Sequence, residues 1–240
     1  MKTLFTLALA TLIPAMSFAA GGGAAPVEQD WSFKGITPDW DKEQLLRGYT
    51  VATQVCMSCH SFKYISHRNL MKAKFTEADV KALAADMDLG INDKLISQLT
   101  AEDAEAVYGK SIPDLSLMNK ARGNGADYVF ALLTGYEDGV PAKYAHDFES
   151  GLPDGGYFNH AFPGHVIAMP QPLNDDQVEY RDGTSATVEQ MAKDVTYFMQ
   201  WTAEPELLAR KKLGVYIMLY LFIFTALAYA LKRQIWKDVH

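Results

Sequence analysis

Cys56-Met57-Ser58-Cys59-His60 holds both cysteines of this 240-residue chain. A second cysteine pair is therefore excluded, and with it any disulfide framework built on four or more cysteines. Two thiols three residues apart share one side of a helical turn, and the next side chain is an imidazole. The fold must present these three groups to one object. A redox dithiol fits the spacing, but nothing nearby suggests the βαβ setting such dithiols occupy. Half a zinc site fits too, yet a second cysteine pair is missing and the remaining histidines show no ligand spacing.

The run matches the C-x-x-C-H signature for covalent attachment of one haem c. In that chemistry the thiols of Cys56 and Cys59 become thioethers on one edge of the ring, and His60 projects its imidazole at the iron. Attachment of this kind takes place outside the cytoplasm, and both ends of the chain agree with export. Lys2, an apolar stretch from Leu4 to Met16 and the small residues of Ser17-Phe18-Ala19 read as a signal peptide over residues 1–19. Leu213–Leu231 carries no charge. At about 1.5 Å per residue it spans roughly 28 Å, close to the roughly 30 Å of a hydrocarbon core. Tyr216, Tyr220, Tyr229 and Trp236 lie towards its ends or beyond, as interfacial aromatics do.

Three cations precede this span (Arg210, Lys211, Lys212) and three follow it (Lys232, Arg233, Lys237), so flanking charge does not orient it. The signal peptide does. Residues 20–209 become an exported domain, 210–234 a single-pass anchor with its flanks in a bacterial inner membrane, and 235–240 a cytoplasmic tail. Removing Lys2, the six flanking cations and Asp238 from 22 basic and 29 acidic residues leaves 15 against 28, or −13 for the exported part. Nucleic acid is not a partner for such a surface, because phosphate binding needs the opposite sign. A basic protein is, with a purely solubilising surface as the alternative.

The chain reads as mainly α with long irregular loops. Helices are expected over Asp41–Val55, from a Thr76/Asp79 capping box to Gly90, from Thr100 to about Tyr108, over Asp127–Thr134, and over Thr187–Thr202. Gly135 to Pro172 is rich in Gly, Pro, Asp and Asn and reads as one long loop. No stretch alternates at period two. Pro205 marks a break before the anchor.

A second axial iron ligand has to come from elsewhere in the chain. Met169 stands among prolines in Phe162-Pro163-Gly164-His165-Val166-Ile167-Ala168-Met169-Pro170-Gln171-Pro172, where a loop can hold a thioether. His67, His146, His160 and His165 remain open, and Met118 is a weaker rival. Met71 and Met87 fall in helical segments, Met191 and Met199 fall on an apolar helix face, and Met57 is inside the attachment turn.

Several blocks then resemble one family in order. They are Trp31-Ser32-Phe33 with Gly35, Arg47-Gly48-Tyr49, Pro113-Asp114-Leu115-Ser116, Ala121-Arg122, Asp127-Tyr128-Val129-Phe130 leading to Leu132-Leu133-Thr134-Gly135-Tyr136, Ala161-Phe162-Pro163-Gly164, Met169-Pro170, and Gln190-Met191-Ala192 through Trp201 to Ala203-Glu204-Pro205. The chain resembles the bacterial form of the cytochrome c1 family, the anchored haem subunits of ubiquinol–cytochrome c reductase (cytochrome bc1) complexes. The resemblance implies a c-type cytochrome domain with Met169 as the sixth ligand. It implies that Arg122 pairs with a haem propionate, that Tyr128 lines the haem edge, and that Pro113 contacts the haem. The family's frequent double proline is Ile112-Pro113 here, which weakens the last match. Some bacterial relatives close the Gly135–Pro172 loop with a disulfide; packing alone must hold it here.

The resemblance further implies an electron carrier that takes one electron from a Rieske iron–sulfur subunit, passes it to a basic cytochrome c, and sits beside a cytochrome b subunit in the bilayer. Such a subunit is not catalytic alone. Two other readings stay open: an anchored cytochrome feeding a terminal oxidase directly, and an exported thiol–disulfide oxidoreductase.

Overall fold

The computed structural model describes residues 25–35 and 37–237. The expected signal peptide and residues 238–240 of the expected tail lie outside the described residues. Helices dominate, and their starts follow from side-chain caps. Asp41 accepts the Gln44 N–H to open α1 (Lys42–Gln54). Thr76, Thr100 and Thr187 do the same for α2 (Glu77–Ala85), α3 (Ala101–Tyr108) and α6 (Val188–Ala203). At Thr76 the capping box is complete, because Asp79 also accepts the Thr76 N–H.

Two helix ends differ from expectation. α2 stops at Ala85 rather than Gly90. Asp88 takes the left-handed conformation (φ 55°), and the Leu89 and Asp88 N–H groups close back on the carbonyls of Ala84 and Ala85. That is a Schellman closure with aspartate in the place usually given to glycine. α5 (Gly125–Thr134) begins two residues before Asp127. Asp127 works sideways instead, accepting from Gln29 N–H, Trp31 Nε1 and Lys34 Nζ at 2.7–2.9 Å. Burial would raise its pKa, but these donors outweigh burial and hold it below the usual carboxylate range.

The centre of the domain is the crossing of α1 on α6. A Cβ on Gly48 would lie 2.1 Å from the Asp194 carbonyl oxygen, so no larger residue fits at this approach. Arg47 reaches over the crossing to the fully buried Asp194 carboxylate (2.9 Å), which Gln190 also contacts. A buried carboxylate without such a partner would be severely destabilising. Trp40, Phe33 and Tyr197 cluster at one end of the crossing, and Tyr49, Phe62, Phe198 and Trp201 at the other. Met191 and Met199 are core residues, as expected.

Two small antiparallel pairs were not expected. β1 (Phe62–Ser66) pairs with β2 (Lys94–Leu95), and β3 (Tyr157–Phe158) with β4 (Val166–Ile167). β1 carries a register irregularity, so it buries Phe62 and Ile65, three apart, and never alternates. The Gly135–Pro172 segment is therefore not structureless: it holds the β3–β4 hairpin and a 3₁₀ turn at Ala142–Phe148. The short α4 (Met118–Ala121) precedes α5.

After Pro205 the chain enters α7 (Leu207–Ile235). Among the described residues it is the one helix long and apolar enough to cross a membrane, and its apolar side chains are bare. Lys211 Nζ donates to the carbonyls of Phe33 and Gly35, and Lys72 pairs with Glu206, fixing the root of α7 to the domain.

His67 is fully buried, its Nε2 2.9 Å from the Tyr49 hydroxyl. Burial lowers its pKa below 6.5, against an opposing pull from the backbone and charge of Asp93. The unfolded chain then binds a proton that the folded chain refuses. His67's stabilising share is complete above about pH 6.5 and is lost as pH falls towards the depressed folded value. In denaturant titrations between pH 7.5 and 5, His67→Gln is expected to flatten the loss of stability by up to about 1.4 kcal/mol per pH unit. Equal slopes in both proteins would remove His67 from this role.

Candidate functional site

α1 carries the chain directly into the cysteine pair. Cys56–Ser58 form a 3₁₀ turn closed by the N–H groups of Cys59 and His60 on the Cys56 carbonyl, at 3.1 and 2.8 Å. Ser58 Oγ adds a bond to the Val55 carbonyl at 2.7 Å. Both thiols are free and partly buried. Burial pushes the Cys56 thiol up to about 12, with the neighbouring Cys59 adding to it and a backbone hydrogen bond opposing. Thiol–disulfide enzymes need a depressed thiol pKa, and this one moves the other way.

His60 is held by the Pro113 segment. Its Nδ1 lies 2.8 Å from the Pro113 carbonyl oxygen. A carbonyl only accepts, so Nδ1 carries the proton and the neutral ring leaves a lone pair on Nε2. Burial lowers the ring's pKa and favours this neutral form, against the pull of the Pro113 bond and Asp114. Nε2 has no protein partner among the described residues. The Pro113 carbonyl is held in turn. Asp114 accepts the N–H groups of Lys63 (2.8 Å) and Ser116 (2.9 Å), Leu115 N–H bonds the Ser61 carbonyl (2.8 Å), and Ser116 Oγ accepts the Tyr64 N–H (3.2 Å). Pro113 was expected as a cofactor contact; in the structure its carbonyl orients the imidazole.

The other expected residues lie at the end of α4, on α5 and in the long loop. Arg122 is exposed at the end of α4, and its guanidinium donates to the Ala121 carbonyl (3.1 Å). It makes no ion pair among the described residues. Tyr128 on α5 is half-buried, and burial raises its pKa against the opposing charge of Arg122. Burial raises the Tyr136 hydroxyl as well. The Tyr136 hydroxyl donates to the Met169 carbonyl at 3.1 Å.

Of the rival ligands, His67 Nε2 meets the Tyr49 hydroxyl and His160 Nε2 is 2.6 Å from Glu137. His165 Nδ1 meets the Asn159 carbonyl at 3.2 Å, the same kind of bond that His60 makes, and His165 stays a rival. Among the described residues no three His, Cys, Asp or Glu side chains converge to hold a metal ion unaided. The donor set fits a haem, because a porphyrin brings four nitrogens and asks the protein for two axial atoms and an anchor. His60 Nε2 and the two cysteine sulfurs beside it fit that request, and Arg122 carries a guanidinium fork without an ion pair among the described residues. Sequence reasoning missed Asp114, Ser116, Tyr136 and Asn159 as supports. Their signal was present only in the family blocks that contain the first three.

The Cytochrome C1 family model matches residues 31–239. Cytochrome c1 of Rhodospirillum rubrum is 41% identical over 244 residues, covering 91% of this chain and 90% of that protein. Cytochrome c1 of Blastochloris viridis is 37% identical over 98% of this chain and 93% of its own. The mitochondrial "Cytochrome b-c1 complex catalytic subunit" of Candida albicans is 37% identical over 92% and 81%. With the family match extending from the N-terminal aromatic block past the end of α7, this chain belongs to the cytochrome c1 family of haem-bearing electron-transfer subunits.

Proposed function

We propose that the protein carries single electrons from a Rieske iron–sulfur subunit to a basic cytochrome c, within a quinol–cytochrome c reductase that also contains cytochrome b. The hydrogen bond from His60 Nδ1 to Pro113 carries this reading, since it leaves Nε2 as a preformed metal ligand. Cys56 and Cys59 are the thioether anchors of one haem c, and His60 and Met169 are its axial ligands. Arg122 meets a propionate with its planar fork, and Tyr128 lines the same edge. The haem supplies a one-electron iron couple. The chain's own residues fix the ligands and present an edge. With both axial positions filled by side chains, the subunit has no place for a substrate and is not catalytic alone.

On this reading residues 20–209 form a periplasmic domain, 210–234 cross the inner membrane once, and the tail from 235 is cytoplasmic. The acidic clusters now separate. Glu77 and Asp79 are taken by Lys81 and Lys42. Glu102, Asp103 and Glu105 on α3 are exposed, and the Tyr108 hydroxyl at the end of that helix is 3.9 Å from Cys59 Sγ. The end of α3 at Tyr108 therefore meets the attachment turn, and the exposed carboxylates of the same helix would steer a basic partner.

Three measurements check this. The purified complex is expected to contain cytochrome b and Rieske subunits. In it, haem should stay on this polypeptide after denaturation, with neither thiol open to alkylation; a colourless polypeptide with two reactive thiols overturns the reading. Met169→Leu is expected to keep the haem and lower its midpoint potential by on the order of 0.1 V or more, because a thioether ligand raises the potential. An unchanged potential and spectrum would exclude Met169. The rate of reaction with a basic cytochrome c is expected to fall as salt rises, and Glu102→Gln with Glu105→Gln to flatten that fall. A flat wild-type profile would leave the acidic surface with a solubilising role alone.

A further inference from the structure

We propose that Tyr136 is the positioning residue for the Met169 side chain, setting through one hydrogen bond where the thioether begins. The proposal rests on Met169 being the sixth ligand. Met169 lies two residues beyond β4, and among the described residues no backbone–backbone hydrogen bond outside helices and strands reaches 168–172. Pro170 and Pro172 have no N–H to offer. The bond from the Tyr136 hydroxyl to the Met169 carbonyl, 3.1 Å, is what ties this stretch to the helical body.

Tyr136 is itself well placed to serve as a fixed point. It follows α5 directly and pairs with Asn159 in an isolated antiparallel bridge. Asn159 is fully buried, and both polar atoms of its side chain are hydrogen-bonded. Nδ2 donates to the Leu132 carbonyl (2.8 Å), and Oδ1 accepts from Ala161 N–H (3.0 Å) and Phe162 N–H (3.1 Å). The His160 N–H adds a bond to the Gly135 carbonyl (2.9 Å). The approach is so close that a Cβ on Gly135 would stand 3.2 Å from Asn159 Oδ1 and 2.6 Å from the Ala131 carbonyl. The loop is thus clamped to the end of α5 at its root, and Tyr136 extends the clamp to Met169.

The test uses the full-length, haem-loaded protein in detergent and titrates the oxidised form with imidazole, which competes with Met169 for the iron. Tyr136→Phe removes the hydroxyl and keeps the ring. It is expected to bind imidazole about fivefold more tightly than wild type, the factor that one net hydrogen bond of about 1 kcal/mol supplies. The absorption band of thioether-ligated iron is expected to weaken at a lower imidazole concentration. Tyr157→Phe, a hydroxyl lost from the exposed side of the same loop, should titrate as wild type; an equal rise in both variants would mean general loosening and overturn the proposal. Met169→Leu separates the two layers of argument. If Met169→Leu binds imidazole much more tightly while Tyr136→Phe matches wild type, Tyr136 is excluded and Met169 stands. Unchanged affinity in Met169→Leu removes both.

Discussion

The hydrogen bond from His60 to the Pro113 carbonyl decides which nitrogen of the imidazole is free, and most of the domain is arranged to hold its two ends still. At one end is the turn that follows α1, where Cys56, Cys59 and His60 fall within five residues. At the other end Asp114 and Ser116 staple residues 113–116 to 61–64. That second strip is anchored to α6 by the Thr202 hydroxyl on the Ser116 carbonyl. A ring nitrogen aimed at a metal must be placed within a fraction of an ångström, and second-sphere carbonyls of this kind do the aiming. α6 supports both ends, since α1 crosses it at Gly48 and the 113–116 strip rests on its last turn. A change at the crossing would therefore reach the imidazole without touching it.

The aspartates show how one residue type serves several purposes once its surroundings differ. Asp194, fully buried, is tolerable because Arg47 and Gln190 meet it. Asp127 ties the N-terminal aromatic segment to α5 through three donors. Asp88 substitutes for a glycine in a helix stop. Asp103 accepts the hydroxyl of Thr100, the residue that caps α3, and stays exposed. A net acidic composition alone could not separate these roles, and the count of −13 overstates the free negative surface for that reason.

Legibility followed the range of the interaction. Helix starts were readable because a cap is decided within four residues, as at Asp41, Thr76, Thr100 and Thr187. Ends were less so, because aspartate at a left-handed position leaves no glycine to mark it. β1 was invisible because its irregular register buries Phe62 and Ile65 at a helix-like spacing, and the remaining strands are two residues long. At the site, the cysteine pair and its histidine were legible as a contiguous motif. Pro113 was named as a haem contact, but the bond its carbonyl makes to His60 was not foreseen, since a backbone carbonyl leaves no mark in a sequence. Asn159 could not be found at all. Its importance comes from partners at Leu132, Ala161 and Phe162 that only the folded chain brings together.

On the proposed assignment the two axial positions differ in kind. The imidazole is fixed by a helix end, a turn and a strip stapled at four points. The thioether hangs from a loop whose chain beyond β4 is tied by one tyrosine hydroxyl. A disulfide would close such a loop covalently; here a buried asparagine and a tight glycine approach close its root instead. A covalent bridge limits loop opening through chain entropy in every state. Hydrogen bonds limit it only while they are made, and each contributes little net stability. The thioether side is therefore where small changes in this chain would move the potential, and the imidazole side is where they would abolish the site.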